Sequence, residues 1–224
     1  GLQSKIKGDQ GVSIGSKTAA SGQAVAIGSD IYALGKSSIA IGNDDIGGTD
    51  HLPEETIRRI YKGIVNEGVK KQNEFDSAYI DSKQYSPTYA GGTSAIAIGS
   101  RSVAAADQSI AMGVLSFALA NGSTAIGRYA FVDEGAAQGL AVGEKARVFS
   151  AHSLALGNEN ESTNEGSMSY GYRAKAVGIG SLAIGNKVAS NAEIKNISDL
   201  QKIFTGNSSI DDKKNSIEKY NPEY

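Results

Sequence analysis

A short motif that ends in glycine recurs ten times along this chain, and this recurrence limits the fold more than any other feature. Most copies alternate small and aliphatic residues before the glycine, as in SIAIG, SLALG and SLAIG. Successive glycines are 13, 14 or 16 residues apart, except for one interval of 57. A unit this short buries no core alone, so we expect stacked repeats that share one core. The ten glycines are Gly15, Gly28, Gly42, Gly99, Gly113, Gly127, Gly143, Gly157, Gly171 and Gly185.

Each copy has the side-chain period of a β-strand. Bulky residues stand one and three positions before the glycine, and a small residue lies between them, as in Ile96, Ala97 and Ile98. A helix would instead need apolar residues three and four positions apart. A second short strand is expected after each glycine, where positions 3 and 5 are small and position 4 varies. The sequence therefore predicts a mainly all-β fold, a parallel β-roll of about ten 14-residue turns that is roughly 50 Å long.

One turn carries an insertion. The interval of 57 residues equals one 14-residue turn plus 43 residues. Within it, PEETIRRIYKGIVNEGVKKQNEF has apolar residues at helical spacing, namely Ile57, Ile60, Tyr61, Ile64 and Val69. The segment AEIKNISDLQKIFTGN near the C-terminus has similar spacing. We expect N-terminal roll turns over 1–42, an insertion with a helix over 43–92, C-terminal roll turns over 93–190 and a helical neck or cap over 191–224.

The small residue between the two bulky ones is Ala in eight copies and Ser in two. A solvated strand normally carries Lys, Thr or Glu, and Ala is a poor strand former. We interpret the bulky residues as the interior of the roll and the small ones as an outward face on which another copy packs closely. A monomer with a narrow, flat face is the alternative. The alanines expected at the axis of this homo-oligomer are Ala26, Ala40, Ala97, Ala111, Ala125, Ala141, Ala155 and Ala183.

The variable position of the second strand is apolar in several neighbouring turns, which predicts an apolar ladder on the outer surface. Such a patch often marks a protein interaction site, and tyrosines are favoured contact residues. Two interpretations remain: the insertion helix covers the ladder, or the ladder and the insertion tyrosines bind a protein ligand. The candidate ligand-binding residues are Tyr32, Val103, Phe117 and Phe131 in the ladder, and Tyr79, Tyr85 and Tyr89 in the insertion.

Composition excludes several function classes. The formal net charge is -2, which argues against a nucleic-acid footprint, and the absence of Cys excludes disulfides and thiol catalysis. The two histidines, His51 and His152, lie far apart in sequence, and no catalytic, metal or cofactor constellation is expected. The pair Gly178 and Gly180 does not complete a dinucleotide-binding motif, because position 183 is Ala. No stretch approaches the roughly 20 apolar residues of a membrane-spanning helix.

The repeats SIAIG, SLALG and SLAIG at a 14-residue period resemble the YadA-like head domain of trimeric autotransporter adhesins. The resemblance implies a left-handed parallel β-roll, three chains per head and an outer-membrane anchor that lies outside this chain, with the head on the bacterial surface. It also implies binding to host matrix, such as collagen, fibronectin or laminin, or to a CEACAM-type receptor. A structural spacer without its own ligand is one alternative. An enzyme on a β-helix is another, although the 14-residue period does not fit a six-residue triangular turn.

Overall fold

The strands of the chain stack into one parallel β-solenoid of about eleven turns, with a single short helical insertion. The architecture comes from a computed structural model, which describes residues 1, 3–44, 55–71 and 86–190. Each turn contributes one strand before its glycine and one after it. The prediction of a mainly-β parallel roll with a 14-residue repeat is thereby confirmed.

Two long strands near the N-terminus, β2 (Val12–Ser21) and β3 (Val25–Ala33), run through both strand positions of their turns. In the other described turns the two positions are separate strands. The strands before the glycine are β4 (Ile39–Gly42), β6 (Ile96–Ile98), β8 (Ile110–Met112), β10 (Thr124–Ile126), β12 (Leu140–Val142), β14 (Leu154–Asn158), β16 (Met168–Tyr172) and β18 (Leu182–Asn186). The strands in the position after the glycine are β1 (Lys5–Lys7), β5 (Thr88–Ala90), β7 (Val103–Ala104), β9 (Phe117–Ala118), β11 (Phe131–Val132), β13 (Arg147–Val148), β15 (Glu161–Ser162), β17 (Lys175–Ala176) and β19 (Ala189–Ser190).

Equivalent positions of successive repeats pair with one another in parallel. Ala97 pairs with Ala40 on one side and with Ala111 on the other, and Ala125 continues the same stack. A side chain that points inward in one turn therefore points inward in the next. Each column of the repeat becomes a continuous stripe along the roll.

The interior of the roll is made of small side chains. Ala26, Ala125 and Ala155 have no exposed surface, and the inward positions of the second strands are similarly small, as in Ala104 and Val132. The prediction that the alanine column faces outward and lines a subunit interface is therefore wrong. The interior is filled mostly by these small side chains, and the bulky residues of the first strands point out. The alanines assigned to the interface and found in the interior are Ala26, Ala40, Ala97, Ala111, Ala125, Ala141, Ala155 and Ala183.

The glycine that ends each motif is required by close backbone contact between turns. Gly127 has a φ of 127°, in the region that side chains rarely adopt, and a Cβ there would lie 2.5 Å from the carbonyl oxygen of Gly143. The equivalent glycines stack in the same way. The motif thus combines a turn with direct packing of one backbone on the next.

The insertion begins and ends at one corner of the roll. The last described residue before it is Asp44, and the chain re-enters the sheet at Thr88–Ala90, which pairs with β3 and β7. The Oγ1 of Thr88 donates a hydrogen bond to the carbonyl oxygen of Asn43 at 3.0 Å. The second group of turns therefore starts at Thr88, earlier than the predicted residue 93.

The insertion contains the predicted helix. It is α-helical over Glu55–Ile60 (α1), π-helical over Tyr61–Val65, and α-helical again over Asn66–Lys71 (α2). The widened π-turn shifts the buried stripe, so that Val65 is fully buried and Ile64 only partly. The helical neck or cap expected over 191–224 lies outside the described residues.

Deleting residues 45–87 joins Asp44 to Thr88 and restores a 14-residue interval between Gly42 and Gly99. We expect this variant to fold as an uninterrupted roll, because Thr88 is already hydrogen-bonded to Asn43, the residue before the new junction. We also expect it to self-associate through the surface that the helix had covered. Circular dichroism and thermal unfolding test the fold, and light scattering tests association. A control deletion of residues 45–88 brings Tyr89 to an inward position among alanines and should not fold. Equal stability of the two deletions would contradict the expected register.

Candidate interaction surfaces

The first strands present a continuous and mostly aliphatic face on the outside of the roll. Its residues stand one and three positions before each glycine, and their registered pairing aligns them in two columns. Ile14 and Ile184 are 58% exposed, and Ile126 is 37% exposed. We call these two columns the aliphatic face: Val12, Ile14, Val25, Ile27, Ile39, Ile41, Ile96, Ile98, Ile110, Met112, Thr124, Ile126, Leu140, Val142, Leu154, Leu156, Met168, Tyr170, Leu182 and Ile184.

The aliphatic face contains no charged residue along its ten rungs. At about 4.8 Å per rung it is about 50 Å long, far more extended than the scattered apolar residues of an ordinary surface. Monomeric soluble proteins rarely expose a continuous apolar patch of this extent. The face is therefore a candidate contact surface for another protein chain. The sequence pattern predicts such a contact for the alanines, whereas the structure offers the bulky residues instead.

The second strands carry the four predicted ladder residues, and the insertion helix covers them. Tyr89, which was expected in the insertion, occupies the rung between Tyr32 and Val103. Pairing runs from Tyr32 through Tyr89, Val103 and Phe117 to Phe131, so the five side chains occupy consecutive rungs. We call these five residues the ladder. All five are at most 8% exposed. The interpretation that the helix covers the ladder is confirmed, and the prediction that Tyr32, Tyr89, Val103, Phe117 and Phe131 are available to a ligand is wrong. Tyr79 and Tyr85 lie outside the described residues.

The helix packs on the ladder through one apolar stripe. Ile57, Ile60, Tyr61, Val65 and Val69 are at most 4% exposed and form one buried cluster with the ladder residues. The rings of Tyr61 and Phe117 meet edge to face, with centroids 6.1 Å apart. Fully burying side chains of this size is typically worth about 1.5–3 kcal/mol each, so the helix is a firmly packed part of the head.

Arg101 and Tyr61 tie the helix to the corner where the insertion leaves the roll. The Tyr61 hydroxyl donates a hydrogen bond to the Arg101 carbonyl oxygen at 2.5 Å. The Arg101 backbone N–H donates to the Asn43 carbonyl oxygen at 3.0 Å, and its Nε donates to the Asp44 carbonyl oxygen. Sequence reasoning placed Tyr61 in the apolar stripe but missed Arg101 and this hydrogen bond, because a tyrosine within such a stripe gives no indication of where its hydroxyl lies.

Burial raises the pKa of several groups around this corner and the ladder. The pKa of Tyr61 is well above its ordinary value, and that of Tyr89 is raised to about 12, both chiefly because burial disfavours the charged phenolate. Burial and the neighbouring carboxylate of Asp30 raise the pKa of Asp44. None of these groups lies in an arrangement that would serve acid–base chemistry; they are parts of a packed interface.

Beyond the helix, the same column becomes polar. Arg147, Glu161 and Lys175 follow Phe131 on the next three rungs, and the Lys175 Nζ lies 2.8 Å from the Glu161 Oε1. Beside them, Phe149 is 37% exposed, with its ring centroid 5.7 Å from that of Phe131. This end of the column is a mixed, solvated surface next to the first turn of the helix.

The described part of the chain holds no group of three or more His, Asp or Glu residues placed to bind a metal ion. His152 is largely exposed and lies 3.8 Å from Glu165, which is an ordinary surface pair, and His51 is outside the described residues. Among the described helices, none combines the length and apolarity needed to cross a bilayer. The surfaces just described are therefore the features to which function is assigned.

Comparison with known proteins identifies the repeat. Four segments match the family model described as YadA head domain repeat, at residues 23–44, 90–116, 106–130 and 162–187. The matched segments lie on both sides of the insertion and within the roll. Heads of this kind are typical of trimeric autotransporter adhesins. A search of curated proteins finds no match to the chain.

The two glycines of the helix give a matched test of its docking. A Cβ added at Gly63 meets no atom within 4 Å, whereas one at Gly68 would lie 2.0 Å from the Tyr89 hydroxyl. We expect Gly63→Ala to stabilise the protein by up to about 1 kcal/mol through helix propensity. Gly68→Ala gains the same propensity but should lose about 1–3 kcal/mol through overpacking. Urea unfolding measures both changes in stability.

A double variant checks the cause of the Gly68 effect. Tyr89 is held between Gly68 and Gly91, so its ring has little freedom to move aside. Tyr89→Phe removes the atom nearest to the new methyl group and should recover part of the loss in a Gly68→Ala background. If both single alanine variants were equally stabilising, the packing of Tyr89 against Gly68 would be incorrect.

Proposed function

Since this chain is a YadA-like head built from the repeats of that family, we propose that it is the adhesive head of a trimeric surface protein and that three copies meet along the aliphatic face. The single observation that carries this proposal is the aliphatic face, which extends over ten rungs without a charged residue. Half-exposed aliphatic columns of this length are stable in water only when another apolar surface covers them. Two further copies of the chain supply such a surface with the same length and the same rung spacing.

The two strands of each turn then have different partners. The first strand buries its alanine side within its own chain and its bulky side against the other two chains. The second strand buries its inner side in the same interior, and the insertion helix covers the ladder on its outer side. In this trimer the helix and the polar rungs at Arg147, Glu161 and Lys175 face outward, where a ligand has access.

We place the ligand contacts on this outward side and assign the ligand to a host protein. The candidates are a matrix protein such as collagen, fibronectin or laminin, or a receptor of the CEACAM type. Three identical outer surfaces per head, and many heads per cell, convert weak single contacts into avid attachment. The head requires no catalytic group or cofactor for this role, in keeping with a family that is generally non-enzymatic.

The position of the head on the bacterial surface follows from the same assignment. In such adhesins the head is held away from the cell by a stalk and an outer-membrane anchor, which we assign to segments outside this chain. A structural spacer is the second candidate function. The regularity of the rungs favours it, because a uniform roll is well suited to holding other domains at a distance.

Charge on the aliphatic face should separate the chains. We expect Ile126→Glu to turn a trimer, of about three times 23.2 kDa, into a folded monomer, because three carboxylates would be buried at one level. Ile179→Glu is the matched control, since Ile179 is 53% exposed but lies in the turn before β18 and belongs to neither column of the aliphatic face. Light-scattering mass and circular dichroism check both variants. A trimer that tolerates Ile126→Glu would refute the proposed interface.

Whole-cell adhesion distinguishes an adhesive head from a spacer. Cells that display the full fibre without residues 1–190, with the lost length restored by inert stalk, should lose binding to immobilised host proteins if this head carries the contacts. Cells in which only the stalk is altered serve as the control. Adhesion that is unchanged after removal of the head would support the spacer function instead.

A further inference from the structure

In a trimer built from repeated rungs, neighbouring chains can pair in more than one register along the roll axis. We take the proposed trimer as the premise. Each rung of the aliphatic face resembles the next, so sliding one chain by one turn, about 4.8 Å, re-matches all but one of the ten rungs. Such a slip costs only a small part of the apolar contact. The same ambiguity arises in coiled coils and in sheets of uniform pattern, where single polar or irregular residues fix the register.

One rung of the face departs from the repeat at all three of its positions. In β16 the outward residues are Met168 and Tyr170, 45% and 58% exposed, and the inward residue is Ser169 instead of Ala. The Ser169 hydroxyl lies 3.0 Å from the Ser162 hydroxyl, which donates to the Leu154 carbonyl oxygen at 2.7 Å. Tyr170 is the single aromatic residue among the twenty of the aliphatic face.

We propose that Tyr170 sets the alignment of the three chains. Rotation about an axis parallel to the roll leaves every rung at its own height, so in the aligned trimer three Tyr170 side chains meet at one level. Their hydroxyls can then hydrogen-bond to one another across the axis. Met168, which is unbranched and adaptable, lies beside them on the same rung and accommodates the rings.

A trimer that has slipped by one rung loses this arrangement. Tyr170 would then face the level of Leu156 or Ile184, its neighbours in register, and neither side chain has a hydrogen-bonding group. A hydroxyl buried without a partner is costly, and three rings no longer share one level. Thr124 is the other hydroxyl residue of the face. It has the shape of valine and its hydroxyl can form a hydrogen bond with the backbone nearby, so it distinguishes the aligned trimer from a slipped one less strongly than Tyr170 does.

The absence of cysteine from the chain allows the alignment to be read directly. Ile41 and Ile98 are partners in register on neighbouring rungs, so Ile41→Cys and Ile98→Cys are made in two versions of the protein that differ in tag size. The two are mixed, refolded and oxidised. A disulfide between like versions reports the same level, and a mixed disulfide reports a slip of one rung. The pair Ile39→Cys and Ile96→Cys tests the other column in the same way.

We expect like disulfides alone with Tyr170 present, and a rise in the mixed product of about tenfold or more after Tyr170→Ile. Tyr170→Phe isolates the contribution of the hydroxyl and should give an intermediate rise. Met112→Ile is the matched control, since Met112 is a 37% exposed residue of the same face, and this change should leave the products unaltered.

The outcomes separate this inference from the proposed function. A monomeric mass for the native chain, together with no disulfide in either column after fusion to a trimeric coiled coil, would defeat the proposed trimer itself. A trimeric mass without disulfides in either column would show that the aliphatic face is not the interface and would overturn both ideas. A trimer that forms like disulfides alone, before and after Tyr170→Ile, would keep the interface and overturn the role of Tyr170.

Discussion

The small side chains that fill the interior of each turn determine the rest of this structure. The interior is filled mostly by alanine and serine, as at Ala125, with a few larger residues such as Val132 and Ile31. A protein of this length normally buries its large aliphatic residues inside one chain. Here the interior holds few of them, and both strand layers carry most of their bulky side chains on the outside.

Both outer surfaces are consequently apolar, and the chain itself covers one of them, the ladder. The ladder from Tyr32 to Phe131 is covered by seventeen helical residues, Glu55–Lys71, of the same chain. The aliphatic face has no cover among the described residues, and in our proposal it is covered by other copies. Folding of one chain thus buries the apolar side chains of the second strands under the helix. In the proposed trimer, assembly buries those of the first strands, which an isolated chain leaves in contact with water.

The fold could be predicted from the sequence, but the side of each strand that points inward could not. Alternation around residues such as Ile96, Ala97 and Ile98 shows that two faces exist, and the constant period shows that they stack. It does not show which face is inside, because that depends on the distance between two strands joined by a tight turn. The ladder was predictable as a set of rungs, whereas the hydrogen bond from Tyr61 to Arg101 depends on a π-turn that no spacing rule reveals.

The corner that holds the insertion has a consequence for the whole roll. The chain leaves after Asp44 and returns at Thr88, and the turns on either side keep their pairing as if nothing had intervened. Closing a loop of 43 residues costs little more than closing a shorter one, because the entropy grows only with the logarithm of length. Every other turn has an equivalent corner two residues after its glycine. A segment grafted at one of these corners would therefore stand at a chosen position along the roll axis, in steps of about 4.8 Å.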